Sequence, residues 1–382
     1  MRMLVLGAGL QGTACAFDLL QRTDVTAVRL AGLPIEHLPP FLSDYSAPRL
    51  LPTPLDVRDH DAVRALMRES DAVLCALPYY FNLEMTRLAI EAGVHFCDLG
   101  GNTEIVSEQK ALDAEARARR VSVIPDCGVA PGMVNILAQH GIEQLDRVEA
   151  VRIFVGGLPR HPEPPLNYQV VYSLEGVVDY YTTLSWILRD GRRTQIPALS
   201  EVEPVVFPEP LGPLEAFHTA GGLSTMAFRY EGKIPTMEYK TLRYPGHAAL
   251  VSALRDLGFF DIEPVQVKGH RVVPRDVAIA VLGERLTKPG SPDIVALRVV
   301  VTGERRGAPA EVSWELIDQY DAARGISAMM RTTGFSLAIT GWMQVKRLVT
   351  GAGVRTPDEA VPALPYVAEL AKRDVVLRAS ER

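Results

Sequence analysis

The sequence predicts an α/β fold in two parts: a doubly wound parallel sheet, then an α+β second domain on a mostly antiparallel sheet. Three observations carry this reading. Up to residue 126, short apolar runs alternate with amphipathic helical patterns, as strand–helix–strand crossovers require. The first run, Met3–Leu6, leads directly into glycines at 7, 9 and 12. Beyond about residue 145 the texture changes to period-two alternation, the pattern of half-buried strands.

The elements of the first part follow in order. Met3–Leu6 is a strand and Thr13–Arg22 a helix, with Ala14, Phe17 and Leu20 on one face. Val25–Leu30 is the second strand. A proline-rich stretch, Pro34–Pro54, follows, and a third short strand over Leu50–Leu55 ends at Asp56. Asp59–Glu69 is helical, with Ala62, Val63, Leu66 and Met67 on one side. Ala72–Leu77 is a buried strand ended by Pro78. Leu83–Ala92 is a helix stopped by Gly93, a residue suited to the left-handed C-terminal position. Val94–Cys97 is the fifth strand, Ser107–Arg119 a charged helix, and Val121–Pro125 a sixth strand ending at Asp126. Ligands of such sheets bind outside the carboxyl ends of the strands, which directs attention to the glycine turn, Gly32, Asp56, Pro78, Asp98 and Asp126.

In the second part, strands are predicted at Val148–Val155, Tyr168–Tyr172, Glu201–Phe207, Thr236–Leu242, Val295–Thr302 and Glu311–Ile317. Helices are expected at Gly176–Leu188, His247–Leu257 and Pro274–Leu286. A long helical pattern, Ser327–Leu348, is expected to return and pack on the first domain. The domain limits follow: 1–126, 127–326, a returning helix at 327–350 and a tail at 351–382.

The stretch MLVLGAGLQG explains itself as a phosphate cradle. Gly7 permits a tight turn, Gly9 lets backbone approach a pyrophosphate, and Gly12 lets helix pack close on strand. The backbone N–H groups of Ala8, Leu10 and Gln11 belong to the same turn, and the helix dipole favours an anion there. This is the Rossmann-type arrangement for a dinucleotide. The acid that holds the ribose hydroxyls should stand about 20 residues past the glycines. Here the second strand ends Arg29-Leu30-Ala31-Gly32, without one. NAD is therefore the first expectation and NADP stays open, with Arg29 a possible partner for a 2′-phosphate.

Composition excludes several classes. A net charge of −6 leaves no basic footprint for nucleic acid. The uncharged runs Cys127–Ile142 and Thr332–Val345 fall short of the roughly 20 apolar residues of a membrane helix. The uncharged N-terminus carries three spaced glycines and Gln11 and lacks a cleavage site, so it does not read as a signal peptide. The four cysteines, Cys15, Cys75, Cys97 and Cys127, form no C-x-x-C and read as reduced thiols of a cytoplasmic protein. The eight histidines show no ligand spacing, and no metal is expected.

Several stretches then resemble one family. They are VLGAGLQG, LDV at Leu55–Val57, DAVLCALPYYFN at Asp71–Asn82, AGVHFCDLGGN at Ala92–Asn102, DCGVAPGM at Asp126–Met133, LRYPGH at Leu242–His247 and RTTGF at Arg331–Phe335. Together they resemble the saccharopine dehydrogenase-like family of nicotinamide oxidoreductases, over nearly the whole chain, and within it the lysine 6-dehydrogenase group. The resemblance implies a dinucleotide domain, a substrate and oligomerisation domain, and catalysis in the cleft between them. It implies NAD(P)-dependent oxidation of the ε-amine carbon of L-lysine to 2-aminoadipate 6-semialdehyde, with release of ammonia. Saccharopine reductases of the family act instead on a secondary amine. A homo-oligomer acting on a small amino acid is expected. A catalytically silent dinucleotide-binding sensor is the alternative of another class.

Candidate residues fall along the strand ends. Asp56 and Val57 resemble the family's adenine-binding edge, although Asp56 also suits a helix cap. Leu77 closes the fourth strand, and Pro78 and Asn82 follow it where nicotinamide-side loops lie. Asp98 either orients a cofactor or substrate group or caps its turn. Asp126 is expected to bind the substrate amine or move a proton, with space left by Gly128 and Gly132. Some family members carry an acid in the G-x-x-P-G turn, where this chain has Ala130. In EYKTLRYPGH, Lys240 is expected to pair with Asp126 and activate water, and Arg243 to grip a substrate carboxylate, or the two exchange roles. Tyr168 and Gln169 are candidates to line the cleft, and Thr333 to touch substrate.

Overall fold

The computed structural model describes all 382 residues. In the first part, strands β1 (Arg2–Leu6), β2 (Ala27–Gly32), β3 (Leu50–Pro54), β4 (Ala72–Cys75), β5 (His95–Asp98) and β6 (Ser122–Ile124) alternate with helices. The helices are α1 (Leu10–Leu20), α2 (His60–Arg68), α3 (Asn82–Ala92), α4 (Thr103–Ala111) and α5 (Asp113–Ala118). Then come α6 (Met133–Glu143), β7 (Arg147–Pro159), α7 (Leu174–Thr182), the hairpin β8 (Ser185–Arg189) and β9 (Arg192–Ile196), β10 (Glu203–Phe207) and β11 (Gly212–His218). They are followed by α8 (Met226–Arg229), β12 (Thr236–Arg243), α9 (His247–Asp256), the hairpin β13 (Val265–Val267) and β14 (His270–Val272), and α10 (Pro274–Leu286). The long strands β15 (Asp293–Arg305) and β16 (Ala308–Gln319) precede α11 (Phe335–Val345), β17 (Gly353–Val354), α12 (Pro357–Ala360), α13 (Ala363–Ala371) and β18 (Arg378–Glu381).

The first sheet has seven parallel strands in the order β17-β6-β5-β4-β1-β2-β3. Its strands are apolar on both faces because helices cover both. Met3 and Val5 join the core under α1 and α11, whereas Leu4 and Leu6 face α2 and α3. The second sheet runs β10-β11-β12-β7-β15-β16-β18, with the β8–β9 hairpin paired to β12. All its pairings are antiparallel except β12 with β7. One apolar core runs continuously from α1 through α11 and α6 into β7 and β15. No helix is long and apolar enough to cross a membrane.

The two-sheet architecture is the expected one, with differences that have local causes. The first sheet gains a seventh strand, β17, from the tail, and β18 pairs with β16, so residues after 350 complete both sheets. The helix expected over Ser107–Arg119 breaks at Leu112, and Asp113 then accepts a hydrogen bond from the Val354 N–H (2.9 Å). The helix expected through Leu188 stops at Thr182. Asp190 and Gly191 both take positive φ (50° and 75°), the two-residue turn that closes the β8–β9 hairpin. Tyr168–Tyr172 is a buried loop, not a strand, and β11 was not foreseen. The Ser327–Leu348 pattern is a π-helical turn at Met330–Gly334 followed by α11, which packs onto α1, β4 and β5.

Candidate active site

The glycine turn sits where β1 hands over to α1. Gly7 has φ +100°, and a Cβ on Gly12 would lie 1.8 Å from the Gly7 carbonyl oxygen, so strand and helix meet only because Gly12 has no side chain. A Cβ on Gly9 would meet nothing within 4 Å. Gly9 caps α1 without a side-chain bond, which leaves the first N–H groups of the helix facing open space. Ala8 is half-buried, and Leu10, in the first turn, is 55% exposed. Both polar atoms of the Gln11 side chain are buried without a partner. Open backbone donors, an orphaned amide and an exposed apolar side chain together fit a dinucleotide, with its pyrophosphate on the turn.

At the carboxyl ends of β4 and β5 the two domains enclose a cavity of about 370 Å³. Tyr79, Gly101, Asn102 and Glu104 line it from the first domain, and Asp179, Tyr180, Trp186 and Ser224 from the second. Asp126 lies against its floor, 1% exposed and with φ +65°. One carboxylate oxygen accepts from the Gly101 N–H (3.1 Å), and the other accepts from the Ser224 hydroxyl. Gly101 is required there, because a Cβ on it would lie 2.7 Å from the Tyr180 hydroxyl. Burial pushes the Asp126 carboxyl up to about 7, and the charge of Asp98 adds to the rise, against the hydrogen bond from Ser224. Asp98 is buried as well and is pushed up to about 6 by burial. It accepts from the N–H groups of Gly100 (2.7 Å) and Asp126 (3.3 Å) and from Gln109 Nε2 (2.7 Å), so it orients the turn that carries Asp126.

Arg243 is 3% exposed and has no carboxylate within ion-pair distance. It lies over the ring of Tyr168 (4.7 Å to the centroid), beside Tyr181 and His247. His247 is held neutral by burial and by Arg243, its nitrogens 3.0 Å from the Tyr181 hydroxyl and 3.0 Å from the Leu166 carbonyl. The Arg243 Nε and the Tyr168 hydroxyl are both buried and unpartnered. Arg243 does not line the 370 Å³ cavity. Tyr172, its ring 6.5 Å from that of the cavity residue Tyr180 and tilted 47° to it, forms the layer between them.

Other expected residues are placed differently. Lys240 does not meet Asp126. Its Nζ binds Glu203 (2.6 Å) and the Glu201 carbonyl (2.9 Å), on the face of β12 opposite Arg243. Three residues along a strand reverse the face, so both cannot serve one pocket. Gln169 Nε2 donates to the Ser291 carbonyl (3.2 Å), a bond that ties down its loop, while its Oε1 is unpartnered. Thr333 lies in the π-helical turn, with its methyl 3.6 Å from where a Gly128 Cβ would sit. Asn82 is turned inward and accepts from the Cys75 thiol (3.5 Å). Leu77 packs on the apolar core over α3, and Pro78 opens the turn that presents Tyr79. Asp59, not Asp56, caps α2, accepting from the Ala62 N–H (3.1 Å). Asp56 stays at the end of β3, gripped by Arg58, whose guanidinium holds it down to about 2. Val57 is buried in the core beneath it. Arg29 is bound to Thr53 (3.1 Å) in mid-strand, away from the strand end where a 2′-phosphate would lie. At that end, a Cβ on Gly32 would lie 3.0 Å from the Ala8 nitrogen, so a side chain there requires the glycine turn to shift by a few tenths of an ångström. Sequence reasoning missed Ser224, Tyr180, Asp179 and Tyr79. The paired glycines of AGGLST and the doubled tyrosines were the only available signals.

Fold and site define a two-domain dinucleotide-binding protein with a buried acid in its interdomain cleft. Residues 3–124 match the family model for the saccharopine dehydrogenase NADP binding domain, and residues 128–376 that for the saccharopine dehydrogenase C-terminal domain. The chain belongs to the saccharopine dehydrogenase family. It is 26% identical over 217 residues to saccharopine dehydrogenase (NADP(+), L-glutamate-forming) of Schizosaccharomyces pombe, covering 54% of this chain and 47% of that one. It is 23% identical over 296 residues to alpha-aminoadipic semialdehyde synthase of Arabidopsis thaliana, covering 72% of this chain and 27% of that one. The chain thus spans about half the length, or less, of these curated relatives. Apo saccharopine dehydrogenase (L-Glu forming) from Saccharomyces cerevisiae superposes with a TM-score of 0.80 at 19% identity, covering 100% of this chain and 99% of that one. Homospermidine synthase from Legionella pneumophila, solved with NAD, gives 0.70 at 12% identity, covering 100% and 91%. These structural likenesses establish the fold. The turn described above is consistent with either NAD or NADP.

Proposed function

We propose that this protein is an NAD(P)-dependent oxidoreductase that removes the ε-amine of L-lysine, giving 2-aminoadipate 6-semialdehyde and ammonia. The observation that carries the proposal is the cleft itself. Its wall holds two acids, the exposed Glu104 and Asp179, which is paired to Arg275 (2.6 Å), three aromatic residues, Tyr79, Tyr180 and Trp186, and no lysine or arginine, with Asp126 bonded to its lining residues Gly101 and Ser224. Such a wall attracts a cationic amine through Glu104 and its aromatic faces.

When bound, the dinucleotide supplies the two-electron acceptor. The residues of the turn from Gly7 to Gly12 would hold its pyrophosphate, Asp56 would serve its adenine end, and Leu77 and Pro78 would line its nicotinamide side. Asp126 takes a proton from the substrate ammonium, because only the free amine carries the lone pair that oxidation at carbon requires. A carboxyl poised near 7 suits that exchange at neutral pH. The Gly101 N–H and the Ser224 hydroxyl fix its orientation. Once that proton has passed to solvent water, the carboxylate serves as base for the water that attacks the substrate iminium, and it returns the proton so gained to the nitrogen as ammonia leaves. Arg243, without an internal counter-ion, holds the α-carboxylate once the Tyr172 layer turns aside, and its guanidinium fork matches that group.

A second reading, oxidation of saccharopine, draws on the names of the relatives. Saccharopine carries three carboxylates, whereas the wall itself has no lysine or arginine and Arg275 beside it is taken up by Asp179, which leaves Arg243 as the unpaired arginine and favours lysine. The test is NAD(P)H formation by purified protein with lysine, saccharopine and 1,5-diaminopentane, each with NAD and with NADP. Lysine turnover is expected. Turnover of saccharopine alone transfers the assignment to the second reading, and dinucleotide binding with no turnover of any amine supports a sensor.

A further inference from the structure

On the face of β12 opposite Arg243 lies a cluster that the proposed reaction does not use. His218, at the end of β11, is fully buried. Its Nδ1 lies 3.2 Å from the carbonyl oxygen of Tyr239. Its Nε2 lies 3.2 Å from a carboxylate oxygen of Glu201 and 3.8 Å from one of Glu238. Both ring nitrogens therefore face acceptors, while a neutral imidazole carries one N–H. With that proton given to the Tyr239 carbonyl, Nε2 directs an unshared lone pair at two carboxylates. Burial and the charge of Lys240 oppose the imidazolium that would otherwise relieve this contact. A ring nitrogen anchored on a backbone carbonyl, with its other nitrogen aimed among carboxylates, is how proteins orient a metal-ligating histidine.

We propose that Glu201, His218 and Glu238 form a binding site for a divalent cation of the zinc class, separate from the cleft. One ligand atom from each lies within 4.8 Å of the other two, close enough to share an ion. One imidazole nitrogen and two carboxylate oxygens are a ligand set that zinc accepts, with water completing the shell. The fold builds the site from three separate segments. In the β11–β12 register His218 stands opposite Lys240, which places Glu238 on the diagonal. The Leu199 N–H donates to the His218 carbonyl (2.8 Å) and the His218 N–H to the Ser200 carbonyl (3.2 Å), which brings Glu201 beside the ring. No short ligand motif spans positions 201, 218 and 238, so inspection of spacing alone gives no metal. Neighbouring cations compete for the same carboxylates. One Arg189 nitrogen donates to both Glu201 oxygens (2.9 and 2.8 Å) and Arg152 reaches Glu238 (3.2 Å), whereas Lys240 is engaged with Glu203. Glu201 and Arg189 are solvent-exposed at the rim, which gives the ion an entry path.

The experiment is calorimetric titration of zinc into chelator-stripped full-length protein, followed by its effect on thermal unfolding. One ion per chain is expected. Glu201→Gln, an exposed change that leaves the core intact, should weaken binding about tenfold or more. Arg189→Ala, equally exposed, should tighten it severalfold by freeing Glu201. The double variant Glu201→Gln/Glu238→Gln should abolish both the heat and the zinc-dependent rise in Tm. Binding unchanged in Glu201→Gln, or no zinc heat beyond that of the double variant, overturns the proposal.

Discussion

Asp126 and Arg243 are two buried charges handled in opposite ways. Asp126 relieves its burial by holding its proton up to about 7. Because this folded value lies above the ordinary 3.8, the group favours the folded state most below pH 3.8, and that contribution is lost as pH rises through 7. Asp126→Asn, permanently neutral, should therefore gain stability relative to the parent between pH 4 and pH 8. The difference reaches at most about 4 kcal/mol at about 1.4 kcal/mol per pKa unit, read as a widening gap in Tm, while amine oxidation falls steeply. A gap that narrows as pH rises would remove the raised carboxyl from the account. Arg243 cannot shed its charge and lacks a counter-ion, and under the proposed reaction the substrate carboxylate is its partner. Arg243→Met should lower kcat/KM for lysine by about 30-fold or more, mostly through KM, without loss of Tm. The same variant should treat 1,5-diaminopentane, which has no carboxylate, as the parent does. An equal loss on both substrates would mean that Arg243 serves the fold alone.

Among the elements, α1 and α11 show how a second helix supports the cofactor turn. Gly334 opens α11 against α1, and a Cβ there would lie 2.7 Å from the Ala14 Cβ and 2.8 Å from the Gln11 carbonyl oxygen. The glycine of RTTGF is thus a packing residue for the dinucleotide helix, and the π-helical turn before it carries Thr333 toward Gly128. Gly334→Val should cost about 3 kcal/mol by overpacking and also weaken NADH binding, measured by energy transfer from tryptophan. Destabilisation with unchanged NADH affinity would show that the helix start tolerates the displacement. Strand β12 carries a different lesson. Tyr239, Thr241 and Arg243 face the aromatic layer, whereas Glu238 and Lys240 face Glu201, Glu203 and His218. The strand itself was legible in the alternation of Thr236–Leu242. The parity of its residues was equally readable and excludes a shared role for Lys240 and Arg243.

Across the whole molecule, the C-terminal segment fastens the halves together. β17 extends the first sheet, β18 extends the second, and Arg373 on the turn after α13 grips Asp18 of α1 through both guanidinium arms. With the apolar core continuous from α1 to β15, the halves are expected to unfold as one unit. Removing one partner of a buried ion pair typically costs about 3 kcal/mol or more. Arg373→Ala should therefore lower Tm while calorimetry still records a single transition. Two resolved transitions in the variant would show that the halves are held together mainly by this clasp.

The sequence alone determined the strand–helix alternation, the glycine turn and its partner helix, the absence of a ribose acid, and Asp126 as the acid at a strand end. These depend on hydrophobic period and on short-range backbone geometry, which neighbouring residues set. Only the tertiary structure decided that Gly101 and Ser224 hold Asp126, that Lys240 turns away from it, and that Arg243 lies unpaired behind a tyrosine layer. It also brought Glu201, His218 and Glu238 together. Those contacts join residues from separate strands and loops, and they depend on register, facing and domain closure, which no local run of sequence encodes.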